Sequence, residues 1–500
     1  MDSLIGLFQA ARDLMGLQPL LLITFGVIVG ILAGAMPGVS PSMGVALMVP
    51  FTYAMSPSLA LVYLAAIYLA ANYGGAITAI MINTPGTPSA VVTAFDGYPL
   101  SAQGRASEAL GMALIASFLG GAIGTIVLML FAGPLANIAL KFWPAEYFSL
   151  SVLGLSTIAS MGGGNALKSV ITAGLGLLVC TVGMDPVLGV GRFTFGNVHL
   201  FDGFEFIPML IGMLALSEVF MEVERFDFRA QRVSDTGKAK WPSIADYWRL
   251  RMSMIRSSLI GTIVGIFPGA GATIAAFISY DVEKRLSKTP EKFGKGAPEG
   301  VVAGEAANSA SVGGALVPML TLGIPGSATA AVLMGALMIH DLQPGPELFT
   351  KNPEVVYRLF AALLIGNVIM LILGLGGSRL WINVTRVRKE LLFPLIFAFA
   401  MIGSYAVNSN MWDVMVCVGF GIVGYILKRN GYPLPPFVLG MVLGNMAEQN
   451  LRRAIMMAGP TAIFQRPISV AMLAVAALSF LIPIMSARKK RKAEQAGLDA

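Results

Sequence analysis

The sequence predicts an all-α polytopic membrane protein of roughly ten to twelve transmembrane or re-entrant helices, each crossing needing about 20 apolar residues. Scarce charge, long uncharged runs and an internal repeat of proline-broken segments predict it. The 500 residues are 56% hydrophobic and only 12% charged, with a mean hydropathy of +0.76, whereas a soluble domain carries about 25% charge. That deficit excludes a soluble enzyme, a nucleic-acid binder and a disordered chain. The net charge of +7 does not point to nucleic acid, because the basic residues sit between apolar runs.

No acidic or basic residue lies between Asp13 and Asp96. Further uncharged runs cover 109–140, 147–167, 257–280, 306–339, 359–378, 391–412, 430–447 and 467–487. They are continuously apolar rather than alternating, which excludes a β-barrel. Ala33-Gly34-Ala35 resembles a signal-peptide cleavage site, but its surroundings recur later in the chain, so the first run reads as structure. Cys180 and Cys417 lie inside apolar stretches and read as buried thiols, not a disulfide framework.

The chain divides into a first transmembrane repeat over 1–223, a basic linker over 224–251, a second repeat over 252–487 and a basic tail over 488–500. Arg225, Arg229, Arg232, Lys238 and Lys240 mark the linker, and Arg488 to Lys492 the tail. Positive residues flanking membrane helices favour the cytoplasmic side, which places both there. The mixed-charge loop from Asp281 to Glu299 is expected on the same side.

The halves resemble each other. Gly30-x3-Gly34-x2-Pro37-Gly38 matches Gly261-x3-Gly265-x2-Pro268-Gly269, an offset of 231 (261 minus 30). Gly74-Gly75-Ala76 matches Gly313-Gly314-Ala315 at 239 (313 minus 74), and Thr84-Pro85-Gly86-Thr87 matches Ile324-Pro325-Gly326-Ser327 at 240 (324 minus 84). Asp96 and Asp341 follow in the same order and read as turn and helix-end residues. Repeats of this kind build secondary transporters; whether the second copy is inverted stays open, and inversion would leave 467–487 as a helix outside the repeat.

Four Pro-Gly pairs interrupt membrane segments, each followed by small hydroxyl, amide or glycine residues. Proline removes a backbone hydrogen bond, and freed backbone groups are tolerated at membrane depth only inside protein or beside a wet cavity. A helix restarting after such a break offers free N–H groups and a partial positive charge, suited to carboxylates. The polar residues beside the breaks are Ser40, Asn72, Asn83, Thr87, Thr273, Glu305, Asn308 and Ser327. Glu305, ionisable within an apolar stretch, is a candidate cation ligand by default; the equal alternative is a residue at the end of a helix facing the 281–299 loop. The glycine ladders of spacing four read as helix-packing surfaces. His199 and His340 have no second ligand at metal spacing and read as surface or interface residues. There is no H-E-x-x-H or G-x-S-x-G, and Gly162 to Ser169 fails as a phosphate loop because Leu167 stands at the second glycine. No cofactor is expected.

At these residues the chain resembles the large membrane subunit of tripartite tricarboxylate transporters. The resemblance is carried by Gly30-x3-Gly34-x2-Pro37-Gly38-x-Ser40-Pro41, by Tyr73-Gly74-Gly75 with Asn83-Thr84-Pro85-Gly86, and by Pro268 to Ala276. It continues through Glu299 to Asn308, Gly313 to Leu316, Leu322 to Ser327 and Leu342 to Pro346, so it covers nearly the whole chain. Ser309 and Asp341 depart from the family's Asn and Gly. The resemblance implies a multi-pass importer of the bacterial inner membrane for citrate-like di- or tricarboxylates, driven by a cation gradient, usually sodium. It also implies two partners, a small four-helix membrane subunit and a periplasmic solute-binding protein. The substrate-binding candidates are Ser40, Asn83, Thr87, Thr273, Asn308 and Ser327 with the backbone of Gly38, Gly86, Gly269 and Gly326; Asn72 and Glu305 are the cation candidates. A non-transporting scaffold subunit and a passive anion channel are the competing readings.

Overall fold

A computed structural model describes residues 2–36, 39–158, 166–185, 189–224, 241–269, 271–384 and 389–479. Pro37, Gly38, most of the linker (225–240) and the basic tail lie outside the described residues. Among those described, the chain is almost wholly helical, with one two-stranded hairpin pairing Gly183–Met184 with Gly191–Arg192. Six helices are long and apolar enough to cross a membrane, and five shorter apolar ones accompany them. Large apolar side chains such as Phe8, Leu130, Phe131 and Ile263 are exposed, as a bilayer-facing surface requires.

The first half comprises α1 (Asp2–Leu14), α2 (Leu17–Ala35), α3 (Pro41–Met48), α4 (Pro57–Ile82), α5 (Ala90–Leu100), α6 (Ala106–Ala139), α7 (Pro144–Thr157), α8 (Ala166–Val179) and α9 (Phe206–Glu224). The second comprises α10 (Ile244–Ile266), α11 (Gly271–Leu286), α12 (Pro298–Leu322), α13 (Ala328–Ile339), α14 (Pro353–Val384), α15 (Lys389–Asn408), α16 (Met411–Arg429) and α17 (Pro435–Ala458), followed by α18 (Pro467–Ser479). Helix α10 begins inside the 224–251 stretch read as linker, because Ser243 and Asp246 cap it reciprocally.

The glycine ladders set helix directions. Gly26, Gly30 and Gly34 of α2 lie against Tyr63, Ile67 and Ala71 of α4. Both numbers rise together, so α2 and α4 run parallel. Gly44 of α3 comes back against Ala33; α3 therefore folds back along α2. The pair is a re-entrant hairpin in which α2 reaches Ala71, part-way along α4, at Gly34, before α3 returns. A Cβ at Gly34 would stand 2.0 Å from the Ala71 carbonyl oxygen, so only glycine permits this crossing.

The second half repeats the arrangement. Gly261 and Gly265 of α10 lie against Ala307 and Ser311 of α12, and α11 returns along α10, with Ser253 and Arg256 both hydrogen-bonded to Glu283. Gly74 packs on Ile31 and Gly34, and Gly314 packs on Thr262 and Gly265. Gly74 is therefore equivalent to Gly314, at an offset of 240 (314 minus 74), one residue from the pairing read in the sequence.

The two sets of contacts run in opposite directions. Thr87 and Gly97 lie against Gly75 and Ile80, so α5 runs with α4. Asp96 and Val92 of α5 lie against Gly300 and Gly304, so α5 runs against α12. Helices α4 and α12 are thus antiparallel. Helix α6 returns: its Gly120 and Gly124 rise with Ala306 and Ala310. The start of α10 and the loop from Ser287 to Ala297 share one face, here the linker face, with the α5–α6 turn; the start of α4 and the turn before α14 lie on the opposite face.

Candidate substrate and cation site

Each re-entrant tip meets the break of the neighbouring long helix. After Ile82 the chain turns at Asn83 and Thr84 and drops back, so that the Gly86 N–H donates to the Gly75 carbonyl at 3.3 Å. The same bond recurs from Gly326 to Ala315 at 3.3 Å. A Cβ on Gly86 would meet the Gly34 carbonyl oxygen at 1.9 Å, and one on Gly326 the Gly265 carbonyl oxygen at 2.8 Å. At the second tip Gly269 N–H donates to the Gly326 carbonyl at 3.1 Å, and Thr157 of α7 donates to the Pro268 carbonyl at 2.5 Å.

From these breaks α3, α5 and α13 restart inside the protein, with hydroxyls at their N-termini. Ser40 accepts from Met43 N–H at 3.2 Å and contacts Ser42 at 3.0 Å. Thr87, 2% exposed, accepts from Ala90 N–H at 3.3 Å and contacts Ser89 at 3.1 Å. Ser327 accepts from Ala330 N–H at 3.1 Å and shares a hydrogen bond of 2.9 Å with the Tyr68 hydroxyl of α4. That last bond joins the halves, as does the one from Asn308 Nδ2 to the Asn72 carbonyl at 3.3 Å. Thr273 is half-buried in the first turn of α11. Such caps satisfy one orphan N–H per helix and leave the others, with the dipole, facing the break.

Asn83 stands apart. It is exposed and left-handed, with φ of 53°, and it ends α4 just as Gly323, with φ of 71°, ends α12. It serves as a helix terminator. Glu305 does not face the charged loop: it is wholly buried, and Thr93 of α5 and Ser117 of α6 donate to its two carboxylate oxygens. Thr93, Ser117 and Tyr68 escaped the sequence reading; each is a lone hydroxyl in an apolar run, and only knowing which helices touch singles it out. Asp341 sits in a turn with φ of 59°. Asp96 does not: fully buried within α5, it accepts from the N–H groups of Gly294, Gly296 and Ala297 and from the Tyr280 hydroxyl, at 2.7–2.9 Å. His199 stacks on Trp412, and His340 approaches Thr52 at 3.4 Å.

A cavity of about 790 Å³ opens towards the opposite face and reaches Leu322 and Gly323, where the second break begins. Arg192, Arg453, Gln343, Asn445 and Glu448 are among its lining residues. An ion-pair network braces the wall, with Arg192 on Glu448 at 2.5 Å and Arg452 on Asp185 at 2.8 Å. Among the described residues no cluster of three metal-ligating side chains occurs.

Comparison with known proteins fits this architecture. The profile of the tripartite tricarboxylate transporter TctA family matches residues 20–439. The chain is 40% identical over 469 residues to an uncharacterized 52.8 kDa protein in the TAR-I ttuC' 3'region of Agrobacterium vitis, covering 93% of each chain. It is 39% identical over 234 residues to an uncharacterized protein in the TAR-II ttuC' 3'region of the same organism, covering 46% of this chain and 97% of that one. No solved structure matches. A profile match spanning both sets of broken helices, with a relative of equal extent, assigns this multi-pass membrane protein to the tripartite tricarboxylate transporter TctA family.

Proposed function

We propose that this chain is the translocating subunit of a secondary active importer for a citrate-like di- or tricarboxylate in the bacterial inner membrane. In this reading two inverted repeats, 1–223 and 252–487, each supply a re-entrant tip and a broken helix, and the carboxylate binds between them. The observation that carries the reading is the convergence of restarted, hydroxyl-capped helices on tips held part-way along α4 and α12. Helix N-termini bind anions through N–H groups and dipole without a buried arginine. Ser40, Thr87, Thr273, Ser327 and Asn308 supply the polar side chains, and Gly38, Gly86, Gly269 and Gly326 the backbone; Asn83 acts as a cap. A cation gradient drives uptake, with Asn72 and Glu305 on the cation side. The cavity beside Leu322 and Gly323 is the route in from the periplasm, where a solute-binding protein delivers the carboxylate, and a small four-helix membrane subunit completes the complex.

The test is uptake of labelled di- and tricarboxylates into proteoliposomes holding this chain with its small partner and the binding protein, under a sodium or a proton gradient. Concentrative uptake supports the reading. Downhill leak alone would identify a channel, and no uptake by fully inserted components would favour a scaffold.

A further inference from the structure

Glu305 is a carboxylate with no counter-charge. It is wholly buried on α12, and α12 and the neighbouring α4, α5 and α6 contain no lysine or arginine, while Arg256 of the neighbouring α10 is taken up by Glu283. Its partners, Thr93 and Ser117 (the latter at 3.0 Å), are neutral. An ionised carboxylate so placed costs several kcal/mol unless a cation or proton neutralises it. One turn along, Asn308 is also wholly buried and adjoins Glu305; its Nδ2 binds the Asn72 carbonyl, while its Oδ1 has no partner. A protonated Glu305 needs one acceptor for its O–H; turning the Asn308 amide over would present its oxygen to that O–H in exchange for the Nδ2 bond to Asn72. The hydroxyls of Thr93 and Ser117 each donate directly to one carboxylate oxygen, so both oxygens are met by hydrogens, as a site that exchanges a proton requires.

From this geometry we propose that Glu305 carries the coupling proton, taking one up at a carboxylate oxygen from one side of the membrane and releasing it to the other. Carboxylate and proton become carboxylic acid, and no electrons move. The proposal rests on the transport reading and replaces sodium with a proton as the driving ion. The site is placed to couple, because Thr93 belongs to α5, the helix restarted at Thr87, while Glu305 belongs to α12. Gaining a proton changes the bond that ties the halves together. The other ionisable groups nearby are accounted for. Tyr73 of α4 interacts with Glu305; Asp96 of α5 is held by Tyr280 of α11 and three N–H groups. Arg256 of α10 is paired with Glu283 of α11 at 2.5 Å, Glu108 of α6 is paired with Arg105 at 2.5 Å, and Glu299 opens α12.

The experiment uses the three-component proteoliposomes with a panel of labelled di- and tricarboxylates, in a sodium-free set and in a parallel set under an inward sodium gradient. Accumulation under an inward proton gradient and carboxylate exchange at zero gradient are both measured across pH. The parent should accumulate substrate and exchange it in a pH-dependent way. Glu305→Gln, fixed as a mimic of the acid, should lose accumulation, and its exchange should lose the pH dependence. A Glu305→Gln variant that accumulates like the parent, or exchanges with the parent's pH profile, overturns the proposal. So does a parent that accumulates only under a sodium gradient. If Glu305→Gln is inert, Ser117→Ala decides: a displaced pH profile of exchange supports the proposal and an unmoved one overturns it. A parent that neither accumulates nor exchanges brings down the transport reading itself, a failure distinct from those above.

Discussion

Ser327 performs two tasks with one hydroxyl, capping α13 and meeting Tyr68 of the other half at 2.9 Å. The variants Ser327→Ala and Tyr68→Phe separate them. Loss of the cap costs about 1 kcal/mol, so Ser327→Ala should lower both thermal stability and the apparent affinity for carboxylate. Tyr68→Phe removes only the bond between halves and should spare stability more than it spares affinity. Equal melting losses in the two would show that the hydroxyl serves packing alone. Asn83 gives the opposite case. Its left-handed backbone matches that of Gly323 and its side chain is exposed, so Asn83→Gly should leave uptake unchanged, and lost uptake would return Asn83 to the ligands. The sequence marked Asn83 as polar and next to a break; it could not show that the residue ends α4 with an exposed side chain, because direction depends on a φ value no motif encodes.

The element that organises the molecule is the re-entrant hairpin, and it is legible in the sequence only in part. The Gly-x3-Gly ladders and Pro-Gly breaks announced close packing and interruption. That α3 turns back rather than continuing does not follow from them, since an apolar run has the same composition in either direction. It follows from Gly44 returning to Ala33. A side chain at Gly34 would collide with the Ala71 carbonyl, a backbone atom with nowhere to move. Overpacking of this kind costs about 1–3 kcal/mol or more. Gly34→Val should therefore abolish uptake and lower detergent-extracted thermal stability, and a stable, active variant would sink the hairpin geometry. Asp96 presents a second device at this scale. It binds the loop of residues 294–297 to α5 through three N–H groups and Tyr280, and hydrogen bonds to a charged group contribute about 1.5–3 kcal/mol each. On the other face the corresponding loop meets α13 through the longer Thr52–His340 approach of 3.4 Å, and that is the face where the cavity opens. Asp96→Ala should free the loop, so that trypsin cuts at Lys292 or Lys295 faster in inside-out vesicles. Unchanged digestion would show that the carboxylate does not hold the loop.

At the scale of the whole molecule, the helix directions make a claim that composition cannot. Charge placement suggested a cytoplasmic linker and tail but left parallel and inverted repeats open, inversion requiring one helix outside the repeat. Antiparallel α4 and α12 are what the proposed inversion requires, and α18 would then be the helix outside the pattern. The consequence is a distribution of loops across the two faces. The α3–α4 loop at Ser56 lies on the same face as the α13–α14 turn at Thr350, and the α5–α6 turn at Ala102 shares the other face with the α11–α12 loop at Lys288. Parallel repeats would instead put Ser56 with Lys288 and Ala102 with Thr350. All four residues are exposed, and replacing the native thiols, half-buried Cys180 and buried Cys417, with Ser removes background labelling. With an impermeant maleimide on intact spheroplasts, Ser56→Cys and Thr350→Cys should label, whereas Ala102→Cys and Lys288→Cys should label only after the membrane is opened. Labelling that pairs Ser56→Cys with Lys288→Cys would refute inversion, and with it the opposed tips on which carboxylate binding between the halves depends.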